Sequence, residues 1–182
     1  MATRMSIGRV LVAAKTQWQF HMVEDVAVAR RMPAGGILRV QTYHYNDLAE
    51  PASHANCLAL ASQFAGCATE SPYNSVRLAT ATGPFGSASF HRRRDFVRVW
   101  YVARAAGIIV GAYTCGWTLR VKREYRSGIS ECESMMASAI FNRPLWGAND
   151  ILTQAVIEMQ EEPEPDFIPE NLPDSSQPYR RG

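Results

Sequence analysis

Two adjoining stretches of strict alternation constrain this chain more than any other feature. Over residues 96–104, Val97, Val99 and Tyr101 alternate with Arg98, Trp100 and Val102. Over residues 108–123, Ile109, Tyr113, Cys115, Trp117, Leu119 and Val121 share one side, and Thr114, Thr118, Arg120 and Lys122 the other. A period of two sends successive side chains to opposite faces of a β-strand. Because both faces of the first stretch are partly apolar, it is expected to lie inside a sheet rather than at its edge. Ala105-Ala106-Gly107 turns the chain between the two strands. After Gly128 the period changes to about 3.6, with Ile129, Cys132, Met136, Ala139 and Ile140 on one side of a helix. Ser130 is read as its cap, Glu131 and Glu133 as first-turn acids favoured by the helix dipole, and Pro144 as its stop.

The rest of the chain supplies partners for this core. Residues 6–14 read as a first strand, with Ile7, Leu11 and Ala13 set against Gly8, Arg9 and Val12. Residues 18–23 form a second, with Trp18, Phe20 and Met22 on one face, and residues 26–31 a third. Pro33-Ala34-Gly35-Gly36 supplies a turn into residues 37–45, whose Leu38, Val40 and Thr42 share a face. Ser53 is placed to cap a helix over residues 55–64, with Leu58, Ala61 and Ala65 at helical spacing and Gly66 as its end. Residues 75–80 alternate as a strand. Gly83-Pro84-Phe85-Gly86 is read as a turn, residues 87–90 as a short strand, and His91-Arg92-Arg93-Arg94-Asp95 as a solvated hairpin tip. Asn149 or Asp150 caps a last short helix over residues 151–160.

At 182 residues the chain suits one domain with a sizeable core. Its globular part is set at residues 1–160. Residues 161–182, rich in Glu, Pro, Asp and Ser, are expected to be a disordered acidic tail. The apolar runs are too short to span a bilayer and the first residues lack an apolar signal core, so a cytoplasmic protein without membrane contact is expected. Cys57, Cys67, Cys115 and Cys132 make no C-x-x-C pair and are read as reduced, buried thiols.

Charge is unevenly spread although the net value is only +2. Ten Lys and Arg lie between Arg77 and Arg126 against Asp95 and Glu124, whereas seven acids and no base lie between Glu158 and Asp174. Arg92, Arg93, Arg94, Arg98, Arg120 and Lys122 are therefore the candidate partner-contacting residues. Trp100 and Tyr101 lie among them, a mixture that can serve single-stranded nucleic acid, although these rings are better explained as core. Searching for catalytic chemistry returns no nucleophile elbow, phosphate loop, dinucleotide fingerprint, zinc-protease helix or calcium loop. His21, His44, His54 and His91 fit no local metal spacing. Cys115, on the apolar side of its strand, is read as core in preference to a nucleophile served by His21 or His44. No enzyme activity, metal or cofactor is predicted.

The order β-β-β-β-α-β-β-β-β-α predicts an α+β fold, an antiparallel sheet of about six to eight strands covered by helices. That order, with the early strand and Trp18, the hairpin over residues 37–45, Val99-Trp100-Tyr101-Val102 leading across Gly107 to Tyr113-Thr114-Cys115, and a closing helix ending Ser138-Ala139-Ile140-Phe141, resembles the PsbP-like fold. This fold is shared by a photosystem extrinsic subunit, a nuclear Ran-binding protein and small bacterial proteins. The resemblance implies a non-enzymatic binder of other proteins, such as a chaperone of type VI secretion effectors. It carries no functional residue over to this chain, and the acidic tail and arginine run depart from it. The leading expectation is a bacterial protein-binding module, an effector chaperone or a toxin-neutralising immunity protein, its partner an effector, a toxin or a second copy of itself. Alternatives are nucleic-acid or anion binding through Arg92–Arg94, and a small-ligand site or enzyme assembled from distant residues near Tyr43, His44 and Cys115.

Overall fold

In the computed structural model, residues 3–142 are described apart from 8, 16, 33–34, 81–82 and 117–120. The last helix and the acidic tail expected from the sequence lie outside the described residues. Among the described residues, ten strands and two α-helices follow in the order β1 (Thr3–Ile7), β2 (Val10–Ala14), β3 (Trp18–Val23), β4 (Val26–Arg31), β5 (Ile37–His44), α1 (His54–Phe64), β6 (Asn74–Thr80), β7 (Gly83–Arg92), β8 (Asp95–Arg104), β9 (Gly107–Gly116), α2 (Val121–Ser138) and β10 (Ile140–Phe141). Seven strands make one antiparallel sheet in the order β3-β4-β5-β9-β8-β7-β6, and β1-β2-β10 make a smaller one. The α+β sheet-and-helix expectation holds.

The doubly apolar strand β8 is interior to the sheet, between β9 and β7, as its pattern requires. Val97, Val99, Tyr101 and Ala103 face α1, whose Cys57, Ala61 and Ala65 are small enough to sit close against Ala88 and Ala112 of the sheet. Trp100 and Val102 face the other way, into a layer built from α2 (Cys132, Met135, Met136) and β2 (Val10, Val12, Ala14). Burial of each large side chain in these layers contributes about 1.5–3 kcal/mol. Ser53 caps α1, its hydroxyl accepting from the Asn56 amide at 3.1 Å, and Gly66 follows the helix at φ 71°.

Four expectations change. Residues 6–14 are not one strand but part of a hairpin, in which Val10, Val12 and Ala14 point inward in place of Leu11 and Ala13. A shift of one residue in strand phase exchanges the two faces. Gly83 to Gly86 is not a turn but the start of β7. Gly86 is required there because a Cβ would overlap the ring of Tyr101 and stand 2.9 Å from His54 Cε1. The strand begun at residue 108 ends at Gly116, and helix is already formed at Val121, so Ser130 lies inside α2, where its carbonyl accepts from Ser134 Oγ. Residues 140–141, expected in the helix, pair with Leu11 and Val10.

Two arginine systems, one partly buried and one buried, lock α2 in place. Glu131 accepts from Arg31 Nε (3.0 Å) and Nη2 (3.2 Å), Gln17 Nε2 (2.9 Å), Trp18 Nε1 (3.0 Å) and Ser127 Oγ (3.3 Å). This joins the helix to the β3–β4 edge. At the other end, Arg104 Nε and Nη2 donate to the carbonyls of Ala139 and Ala137, both at 2.8 Å, placing a cation where the helix dipole favours one. Tyr113 is threaded between sheet and helix: a Cβ at either Gly36 or Gly128 would overlap its hydroxyl.

Candidate functional site: the arginines of the β7–β8 hairpin

β7 and β8 pair from Phe85–Val102 to Arg92–Asp95, and Arg93 makes the tight turn at φ 53°, a left-handed conformation that non-glycine residues seldom adopt. The expected hairpin tip is present, but its arginines divide by role. Arg92 is half-buried, and its Nη1 donates to the carbonyls of Ala65 (3.0 Å) and Gly66 (3.3 Å) at the C-terminal end of α1. It thus satisfies carbonyls that a helix end leaves unpaired and fastens the tip to the helix layer. Arg93 and Arg94 are exposed.

Arg98 lies on the opposite, α2-facing side of β8 and is only 8% exposed. Its Nη1 donates to Ser89 Oγ and its Nη2 to Ser87 Oγ (2.8 Å). Tyr113 stands across from it on β9, and Phe96 and Trp100 flank it along β8. From α2, the ring of Tyr125 packs at 4.8 Å from Phe96 and 6.4 Å from Tyr113. Burial pushes the Tyr125 phenol well above its ordinary range, the neighbouring Tyr73 adds to this, and the Arg98 charge opposes it. Of the remaining candidates, Lys122 lies in the first turn of α2 and Arg120 lies outside the described residues. The structure therefore brings Arg92, Arg93 and Arg94 together at one tip and places Arg98 inside the sheet–helix layer.

Trp100 and Tyr101 are fully buried, so neither ring is presented for stacking on a base. Tyr43 and His44 pair with Ile108 and Gly107, at the opposite end of β9 from Cys115. Seven residues of strand separate Ile108 from Cys115, about 23 Å. The assembled site at Tyr43, His44 and Cys115 is thus not formed. His54 Nδ1 lies 2.8 Å from the Tyr101 hydroxyl, and His91 stacks on Phe96. All four cysteines are buried, and burial raises the Cys67 and Cys132 thiols. Among the described residues, no group of three His, Cys, Asp or Glu is placed to hold a metal ion, and no helix is long and apolar enough to cross a membrane. A groove of about 170 Å³ runs between residues 48–52 and α1, lined mainly by Leu48, Pro51, Ala52, Cys57 and Leu60.

Sequence reasoning missed the serines that hold Arg98 and the pairing of Arg31 with Glu131. Ser87 and Ser89 share a strand face, but their value depends on a register that sets Ser89 opposite Arg98.

An antiparallel seven-stranded sheet with α1 on one face, and α2 with a small closing sheet on the other, is the α+β architecture called PsbP-like or Mog1-like. Solved structures of this architecture are similar to the chain. A variant of the protein Mog1 superposes with a TM-score of 0.59 at 6% identity, covering 81% of this chain and 100% of that one. The solution structure of cyanobacterial PsbP (CyanoP) from Synechocystis sp. PCC 6803 superposes with a TM-score of 0.53 at 10% identity, covering 78% of this chain and 92% of that one. The sequence matches no family model and no curated relative.

Proposed function

We propose that this chain is a non-catalytic protein-binding module that meets an acidic surface of its partner through Arg93 and Arg94. The observation that carries this reading is the division of labour within the arginine run. Arg92 is committed to the α1 terminus and holds the hairpin, while its two neighbours stand free of that task on a turn of fixed shape. The turn fixes where the two residues leave the backbone, and each exposed guanidinium can offer a carboxylate two parallel N–H donors. The PsbP-like fold, the charge asymmetry and the burial of the central aromatics support the same reading. Within it, a cytoplasmic effector chaperone or toxin-neutralising immunity protein of bacterial type is the specific form proposed, with an effector or toxin as partner.

The test is affinity capture from the native host with the wild-type chain and with Arg93→Ser/Arg94→Ser. The expected result is a protein partner held stoichiometrically by the wild type, released by salt and lost in the double variant. Capture of nucleic acid in place of protein, or a partner held equally by both chains, overturns the reading.

A further inference from the structure

We propose that Arg98, with Ser87, Ser89 and Tyr125, forms a binding site for a carboxylate group. This site lies on the α2 side of the sheet and stands independently of the hairpin-tip reading. The argument starts from unsatisfied hydrogen bonding. Among the described residues, Arg98 Nε and Trp100 Nε1 are buried side-chain atoms without a partner, and the buried Tyr125 hydroxyl, beside that of Tyr73, makes no hydrogen bond of good geometry. Each of them carries a hydrogen to donate. A buried donor left unmatched is costly, and a buried charge left without a counter-ion more so. Yet Arg98 is held by two neutral hydroxyls, and the ion pair found among the described residues is the distant one between Arg31 and Glu131.

The surroundings define what would fit. Arg98 presents five N–H hydrogens, of which Ser87 and Ser89 take two, and each serine keeps a hydroxyl hydrogen of its own. The Tyr125 ring, seated over Phe96 and Tyr113, brings a phenol to the same neighbourhood. A donor-rich site with one positive charge matches a planar monoanion with two acceptor oxygens, which is a carboxylate, better than a doubly charged phosphate. The cluster also reaches the surface. Tyr73, 59% exposed, stands beside Tyr125, and Arg98 and Tyr125 each keep 8% exposure. The carboxylate can come from a partner's Asp or Glu or from this chain's own acids between Glu158 and Asp174.

The experiment uses the full chain with ¹⁵N-labelled arginine and follows the Nε–H resonance of Arg98 by NMR as acetate replaces chloride at constant ionic strength. A saturable shift confined to Arg98, with Arg93 and Arg94 unmoved and the affinity reduced about tenfold by Tyr125→Phe, is expected. A second chain, in which Glu158, Glu161, Glu162, Glu164, Asp166, Glu170 and Asp174 become Gln or Asn, separates the two sources. Response in the wild type means that the site is open to an external carboxylate. Response only in the neutralised chain means that one of its own acids occupies the site. No saturable response in either chain, or an equal response to chloride, overturns the proposal.

Discussion

Replacing Glu131 by glutamine is the sharpest test of how α2 is held. The two side chains of the Arg31–Glu131 pair are each 12% exposed, and five hydrogen bonds converge on the carboxylate. An amide keeps one acceptor oxygen. Whichever oxygen becomes the NH₂ group, at least two donors lose their acceptor: Trp18 and Arg31 on one side, or Gln17, Arg31 and Ser127 on the other. The charge that balances Arg31 is also lost. Breaking a buried pair from one side costs about 3–5 kcal/mol, and the residual exposure points to the lower end, about 3 kcal/mol. For a domain of this size that is a fall in Tm of about 6–12 °C.

The pH dependence gives a second readout. Burial disfavours the charged Glu131 carboxylate, but hydrogen bonds from Arg31, Gln17 and Trp18 outweigh it and hold the group below its ordinary value of 4.5. A carboxyl group depressed in the folded state contributes stability in full above its unfolded pKa and loses it as pH falls through the folded one. The gap between wild type and Glu131→Gln, measured by urea unfolding, is therefore largest at pH 6–7 and narrows as pH falls below about 4.5. A gap under about 1 kcal/mol at pH 7, or one that stays constant into the acid range, refutes the assignment of this cluster as the lock.

Three further outcomes are expected. Gly128→Ala drives a methyl group into Tyr113 and costs about 1–3 kcal/mol, and Tyr113→Phe in the same chain recovers part of that loss in thermal melts, whereas simple additivity contradicts the contact. Arg92→Ser lowers stability by about 1 kcal/mol and speeds amide exchange at the C-terminal turn of α1, while Arg93→Ser/Arg94→Ser leaves stability within about 0.5 kcal/mol of wild type. Cys57, Cys67, Cys115 and Cys132 react with a thiol reagent only on unfolding, and a fast-reacting native thiol among them contradicts their burial.

Much of the framework was legible wherever a local rule acts without competition. The Ser53 cap, the Gly66 stop, the strand β4 and the two-fold alternation of β3, β5 and β8 depend on near neighbours, and all are present. The failures come from residues whose context lies far along the chain. Gly83 and Gly86 look like turn residues until the next strand is seen to occupy the space a side chain would need, the Ala103 carbonyl at Gly83 and the Tyr101 ring at Gly86. The start of α2, Lys122-Arg123-Glu124-Tyr125-Arg126-Ser127, offers a single large ring among polar residues, so no helical period shows there, and the strand alternation extends too far along the sequence. Arg98 was placed on the correct side of β8, opposite Tyr101, but that side is covered by α2, which a two-fold period cannot reveal. Arg31 and Glu131 lie 100 residues apart, beyond any local pattern.

The small sheet has a consequence for how the molecule is made. β2 takes β10 as its second neighbour, Ala13 N donates to Ser138 Oγ, and Asn142 Nδ2 reaches Ser6 Oγ, contacts that span 125 and 136 positions of chain. During synthesis the first hairpin leaves the ribosome well before these partners exist. It must wait, with the apolar side of β2 uncovered, until residues through Phe141 have emerged. Closure of the domain is then one late, long-range event, slow in the way that high contact order makes folding slow. A nascent chain arrested before β10 should leave β2 open to binding by whatever chaperone attends the ribosome exit.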